Sequence, residues 1–258
     1  MFKLKNKKIA FFGGVGYLAT PIVQEMAKLG ADLFLADFNK DLAVKTAQEL
    51  SRQYPGQKFE GAFVDGGDYA SIAACFDKIK ASFGTLDVMV SGISAANNLT
   101  VDEFTPEAMN KTFATHLTGS FLLARQSAEL MPQGGSIVIF SSMYGQVAPD
   151  PGAYHAPMKA NPIDYGMAKS ALNQMIRYLA VCWGPRNIRV NGVSPGPFPN
   201  AGNYPGDTAF IDRLSKKVPL GRVGKQHEMA GSVIYLASDA SSFSNGHIIN
   251  VDGGWTAW

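Results

Sequence analysis

The stretch KIAFFGGVGYLATPIVQEMAKLGADLFLAD, residues 8–37, decides the fold. KIAFF (8–12) is a short apolar run of the kind that forms a strand covered on both faces. Glycines follow, and then apolar residues at helical spacing from about Tyr17 to Leu29, with Gly30 ending the helix. DLFLAD (32–37) is a second apolar run. Strand, glycine turn, helix and strand in so few residues is a parallel βαβ unit with a right-handed crossover.

The same alternation continues outward. A polar-faced helix runs to about Gln53, KFEGAFVD (58–65) reads as a strand, and Asp68 to Phe83 reads as a helix stopped by Gly84. LDVMV (86–90) is a fourth strand. Thr105-Pro106-Glu107 carries a capping residue, proline at the first helical position and an acid in the first turn, so one helix is expected from there to about Leu130. GSIVIFSS (135–142), a helix from Asp164 to Trp183, IRVNGV (188–193), a helix near Gln226 to Ser238 and HIINV (247–251) complete the series. The expected class is α/β: a doubly wound parallel sheet of about seven strands with helices on both faces, a Rossmann fold. One domain over residues 1–258 is expected, with two irregular loops, Val147–Ile163 and Pro195–Val218, beyond strand ends where such sheets bind ligands.

Composition narrows the function. The 258 residues are 46% hydrophobic, and 23 basic against 21 acidic side chains leave a net charge of +2. That balance gives no reason to expect nucleic acid or a membrane surface as partner. Two cysteines, Cys75 and Cys182, suit a reducing compartment, no metal-ligand spacing involves them, and no stretch approaches the length of a membrane span, so a cytoplasmic location is expected. Read from Gly14, the first turn is G-x-G-x-x-A, with Gly13, Gly14, Gly16, Tyr17 and Leu18 placed for a dinucleotide pyrophosphate at a helix N-terminus. Asp37 lies about 20 residues further on, where an acid takes the ribose hydroxyls of NAD and repels the 2′-phosphate of NADP. An alternative is that Asp37 only caps the helix after it.

Tyr165-Gly166-Met167-Ala168-Lys169 places a phenol and an ammonium one turn apart on a helix. A tyrosine exchanges protons near neutral pH only if its pKa falls from its usual ~10, and a neighbouring ammonium is expected to lower it.

In that context the chain resembles the short-chain dehydrogenase/reductase family of the compact, single-domain kind. The motifs run in order along nearly the whole chain: FGGVGYLA, LDVMVSGIS, IVIFSSMYG, YGMAK, IRVNGVSPG and GRVGKQHEMAGSVIYLASDASSFSNGHIINVDGGW. The resemblance implies NAD-linked interconversion of a secondary alcohol and a ketone. It implies that Tyr165 exchanges the substrate proton, Ser142 hydrogen-bonds the reacting oxygen, and Lys169 lowers the Tyr165 pKa and holds the nicotinamide ribose. It also implies that Asp65 contacts adenine, Gly92 and Ile93 line the cofactor cleft, and Pro195, Gly196 and Phe198 stand near the nicotinamide. Departures accompany it. Phe12 replaces a usual threonine, Ser91-Gly92-Ile93-Ser94 replaces N-N-A-G, and His116 stands where an asparagine often completes a catalytic tetrad.

The spacing from Ser142 to Tyr165 is about ten residues longer than usual in the family. The loop within it resembles that of members acting on sugars, sugar acids or nonulosonate precursors. Tyr154, His155 and Lys159 there, with Ser94 and Asn200 elsewhere, are candidate substrate contacts, Lys159 for a carboxylate or phosphate. Trp255 and Trp258 are expected to be exposed at the chain end, in keeping with the homotetramers typical of relatives. A contrasting reading is an NAD-binding sensor or scaffold without turnover.

Overall fold

The computed structural model describes residues 2–95, 97–155, 158–200 and 208–258. Seven strands form one sheet in the order β3-β2-β1-β4-β5-β6-β7, and every neighbouring pair is parallel. They are β1 (Lys8–Phe12), β2 (Asp32–Asp37), β3 (Phe59–Phe63), β4 (Val88–Ser91), β5 (Gly135–Phe140), β6 (Ile188–Pro195) and β7 (Ile248–Val251). The helices are α1 (Ala19–Lys28), α2 (Lys40–Gln53), α3 (Tyr69–Phe83), α4 (Pro106–Phe113), α5 (Ser120–Glu129), α6 (Ile163–Trp183), α7 (Thr208–Lys217) and α8 (Ala230–Ala237).

Alternation along β1 divides the core. Ala10 and Phe12 join Phe34, Phe76, Ile137 and Ile176 on the face covered by α3, α5 and α6. Ile9 and Phe11 join Ile22, Met26, Leu33 and Val233 on the face covered by α1, α2 and α8. Each fully buried side chain of this size contributes roughly 1.5–3 kcal/mol relative to exposure. Both faces of the central strands are dry, which is why they read as continuous apolar runs. The strand order reverses direction at β1, between β2 and β4, and this switch point opens a crevice at the carboxyl ends of the strands.

Three expectations need correction. The helix expected from Thr105 to Leu130 is interrupted by a wide π-helical segment, Ala114–Gly119, between α4 and α5. The interruption sits where Gly119 packs on the backbone of Gly66 and His116 turns inward, and the β-branched Thr115 and Thr118 favour a regular helix weakly. The second loop is not irregular throughout, because its end is α7. Phe210, Ile211, Leu214 and Val218 have helical spacing and pack into a third apolar cluster with Met143, Tyr144 and Ala153. Trp255 is buried in that cluster, while Trp258 is exposed. A turn at Asp252, whose carboxylate accepts from the backbone N–H groups of Gly254 and Thr256 at 2.9 Å each, folds Trp255 inward. Residues 156–157 and 201–207 of the two loops lie outside the described residues.

Candidate active site

A cavity of about 840 Å³ runs along the carboxyl ends of the strands. At one end lies the glycine turn. Gly13 has φ +75°, and a Cβ there would stand 2.8 Å from the Gly92 carbonyl, so the turn and the end of β4 meet backbone to backbone. Gly13, Gly16, Tyr17, Leu18, Gly92 and Ile93 line the cavity. Gly14 does not; it lies beneath the turn, with a Cβ site 2.9 Å from the Phe11 carbonyl oxygen.

Asp37 ends β2 and faces the same cavity. Its carboxylate accepts from the Val15 N–H at 3.2 Å and the Asn39 N–H at 3.0 Å. The helix α2 is capped by Asn39, which accepts from Leu42 N–H at 3.1 Å, so capping is not the role of Asp37. Asp65 also lines the cavity and accepts from the Gly67 N–H at 2.8 Å. Phe38, exposed beside Asp37, is a further lining residue that the sequence did not point to. An exposed aromatic directly after a strand-end acid was the available signal.

At the other end β5 and α6 bring Ser142, Tyr165 and Lys169 onto the cavity wall. Ser142 is hydrogen-bonded to the Tyr165 hydroxyl and accepts from the Tyr144 N–H at 3.1 Å. Lys169 is buried, donates to the Phe140 carbonyl at 2.9 Å, and its Nζ lies 5.5 Å from the Tyr165 ring centre. Gly145 packs directly on the backbone of Lys169, which seats the serine segment against α6. Burial pushes the Lys169 ammonium down to about 8. Burial also raises the Tyr165 pKa, opposed by the Ser142 hydrogen bond. In the enclosed pocket desolvation of the phenol is the larger of these two effects.

His116 is fully buried behind Tyr165, with the two rings edge to face at 5.6 Å. It does not line the cavity. Its Nε2 lies 2.9 Å from the Ala95 nitrogen and 2.7 Å from the Ala95 oxygen, while Nδ1 is buried without a partner. Burial, then the nearby Lys169 charge, push its pKa down to about 4. Below its free value of 6.5 the unfolded chain binds a proton that the folded chain refuses, so stability falls as pH drops from 6.5 toward 4. The loss attributable to this group is about 3 kcal/mol, and urea midpoints of wild type and His116→Asn across that range should show it in wild type alone.

The fully buried Asp164, which the sequence reading did not single out, holds the surroundings of Tyr165 together. It accepts from Asn97 Nδ2 and Thr112 Oγ1, each at 2.5 Å, and from the Tyr165 N–H at 2.8 Å. Among the proposed substrate contacts, Ser94 and Tyr154 line the cavity, and the Tyr154 hydroxyl pairs with that of Tyr144 at 2.6 Å. His155, Lys159 and Asn200 do not line it. Lys159 instead pairs with Glu103 at 3.2 Å and donates to the Asn98 carbonyl at 3.0 Å, because the loop folds down onto that neighbouring segment. Pro195, Gly196 and Phe198 line the cavity at the end of β6.

The chain matches the family described as enoyl-(acyl carrier protein) reductase over residues 17–256. It belongs to the short-chain dehydrogenase/reductase family. This dehydrogenase/reductase is 28% identical over 251 residues to a 3alpha-hydroxysteroid dehydrogenase of Mediterraneibacter gnavus, covering 97% of each chain. It is 29% identical to a D-threitol dehydrogenase of Mycolicibacterium smegmatis, covering 99% of this chain and 95% of that one. Among solved structures it resembles a gluconate 5-dehydrogenase from Burkholderia cenocepacia, in complex with NADP and tartrate, with a TM-score of 0.87 and 26% identity over 100% of this chain and 98% of that one. Relatives of these kinds make this family member an oxidoreductase acting on CH–OH groups. Among the described residues, no helix is long and apolar enough to cross a membrane and no group of side chains is arranged to hold a metal ion. Both cysteines are free, and burial pushes the Cys75 thiol up to about 12.

Proposed function

We propose that this chain is an NAD(H)-dependent oxidoreductase that interconverts a secondary alcohol and a ketone. The observation that carries the reading is the meeting of Ser142, Tyr165 and Lys169 at one end of a cavity whose other end is the glycine turn and Asp37. A dinucleotide fits the residues present: bare backbone at Gly13 and Gly16, the N-terminus of α1 for a pyrophosphate, and a carboxylate at the end of β2. When bound, it supplies the acceptor or donor of hydride.

The protein's own part is proton handling and placement. Ser142 holds the reacting oxygen beside the Tyr165 hydroxyl, and Tyr165 gives or takes the proton. Lys169 adds positive charge behind the phenol and lines the same cavity. His116, kept neutral by burial, and Asp164 fix the segments on either side of Tyr165.

Asp37 supports NAD as the preferred cofactor, since a second anion beside it would be repelled and Phe38, the next lining residue, carries no charge. Asp37→Ser is expected to shift the NADP-to-NAD ratio of kcat/KM by about 100-fold toward NADP. A wild type that already prefers NADP would overturn the assignment. A polyol or sugar-like substrate draws support from the threitol dehydrogenase among the relatives. The exposed Met167, Tyr178 and Val181 of α6, with Trp258, support a homotetramer, checked by sedimentation.

A further inference from the structure

The cavity beyond Ser142 and Tyr165 is closed by the third apolar cluster. Met143, Tyr144, Tyr154, Phe210 and Leu214 belong to it or pack against it, and all five line the cavity. The polar lining at this end is neutral: Ser94, Asn161 and the Tyr144–Tyr154 hydroxyl pair.

Nearby cations are engaged elsewhere. Lys159 is held by Glu103 and the Asn98 carbonyl. Arg213 donates Nε–H to the Ala153 carbonyl at 2.9 Å and lies over the Phe210 ring, and Lys217 pairs with Asp150. Lys169 is buried on the Phe140 carbonyl. Lys111 lines the cavity at its opposite, Asp65 end, one turn before Thr115, which packs on Gly66 and Gly67. Residues 96, 156, 157 and 201–207 include no lysine, arginine or histidine. Among the described residues, a carboxylate or phosphate brought to this end would therefore give up its water with no cation beside it but Lys169, which is buried on the Phe140 carbonyl behind Tyr165.

We propose that the site takes an uncharged hydroxylated substrate with an apolar face beside the carbinol carbon, and rejects the carboxylate or phosphate counterpart. The proposal rests on the alcohol–ketone reading. It sets this chain apart from the gluconate enzyme it resembles, and it removes the sugar-acid branch of the sequence expectation. The apolar walls pack against the carbon skeleton, while the neutral hydroxyls and Asn161 meet substrate hydroxyls.

The test uses matched pairs, cyclohexane-1,2-diol against 2-hydroxycyclohexane carboxylate and D-glucitol against D-gluconate, at a pH where the acids are ionised. Wild type with NAD gives kcat/KM, and calorimetry on NAD-loaded Tyr165→Phe gives binding without chemistry. The neutral member of a pair is expected to bind and to exceed the anion in kcat/KM by about 100-fold or more. Leu214→Lys, which adds a cation to the lining, should narrow that ratio at least about tenfold, and Leu214→Met should not. Anions bound or turned over as well as the neutral compounds would overturn the proposal, as would binding of neither class. Selective binding of neutral compounds with no turnover by wild type would leave charge selection standing and remove the alcohol–ketone reading.

Discussion

Tyr165→Phe should lower kcat by about 1,000-fold while cofactor binding and fold stability stay near wild type. The substitution removes one hydroxyl and keeps the ring that packs against His116 and the third apolar cluster. That hydroxyl is the group hydrogen-bonded to Ser142, and it is the phenol whose ring centre lies 5.5 Å from Lys169 Nζ. Without it, Ser142 still stands beside the reacting oxygen, but the hydroxyl proposed to exchange the proton is gone. Steady-state turnover measured beside calorimetric NAD affinity separates the two effects. Activity within about tenfold of wild type would show that the proton travels another way. Because burial raises the Tyr165 pKa, the wild-type rate of alcohol oxidation should climb with pH through the neutral range.

The second large effect is structural. Gly119→Ala should destabilise the fold by about 3 kcal/mol or more and weaken NAD binding. A Cβ on Gly119 would stand 2.1 Å from the Gly66 carbonyl oxygen and 3.2 Å from that of Ala114. Both obstacles are backbone, so no side-chain rotation relieves them. Gly66 follows Asp65 on the cavity wall, and pushing it away displaces the cofactor end of the site. Gly231→Ala in α8 is the control: nothing lies within 4 Å of its Cβ site, and the helix should gain up to about 1 kcal/mol. Urea midpoints of the two variants decide the matter. A Gly119→Ala protein with a wild-type midpoint would mean that the π segment is not packed on Gly66.

Much of this architecture was legible from local pattern. Strands buried on both faces leave unbroken apolar runs, and so β1 and β2 could be read to the residue. Thr105 caps its helix through its side-chain oxygen, a signal that lies within a few residues of chain. The glycine turn, Ser142 and the Tyr165–Lys169 pair were also visible, because the turn and the pair are each set by a fixed short spacing.

What stayed hidden depended on residues far apart in sequence. The helix expected through residue 130 breaks because Gly119 meets Gly66 and His116 meets Ala95. Lys159 looked available for an anion until the fold put Glu103 beside it, and Trp255 looked exposed until the Asp252 turn folded it among Met143, Phe210 and Leu214. The sequence alone determined the class of sheet and the order of its strands and helices, and it pointed to the residues proposed for the proton and cofactor chemistry, since periodicity, capping and short motifs are local properties of the chain. Only the tertiary structure decided which charges are already neutralised, how far burial moves Tyr165, His116 and Lys169, and what closes the substrate end, because desolvation and pairing depend on what the fold brings alongside.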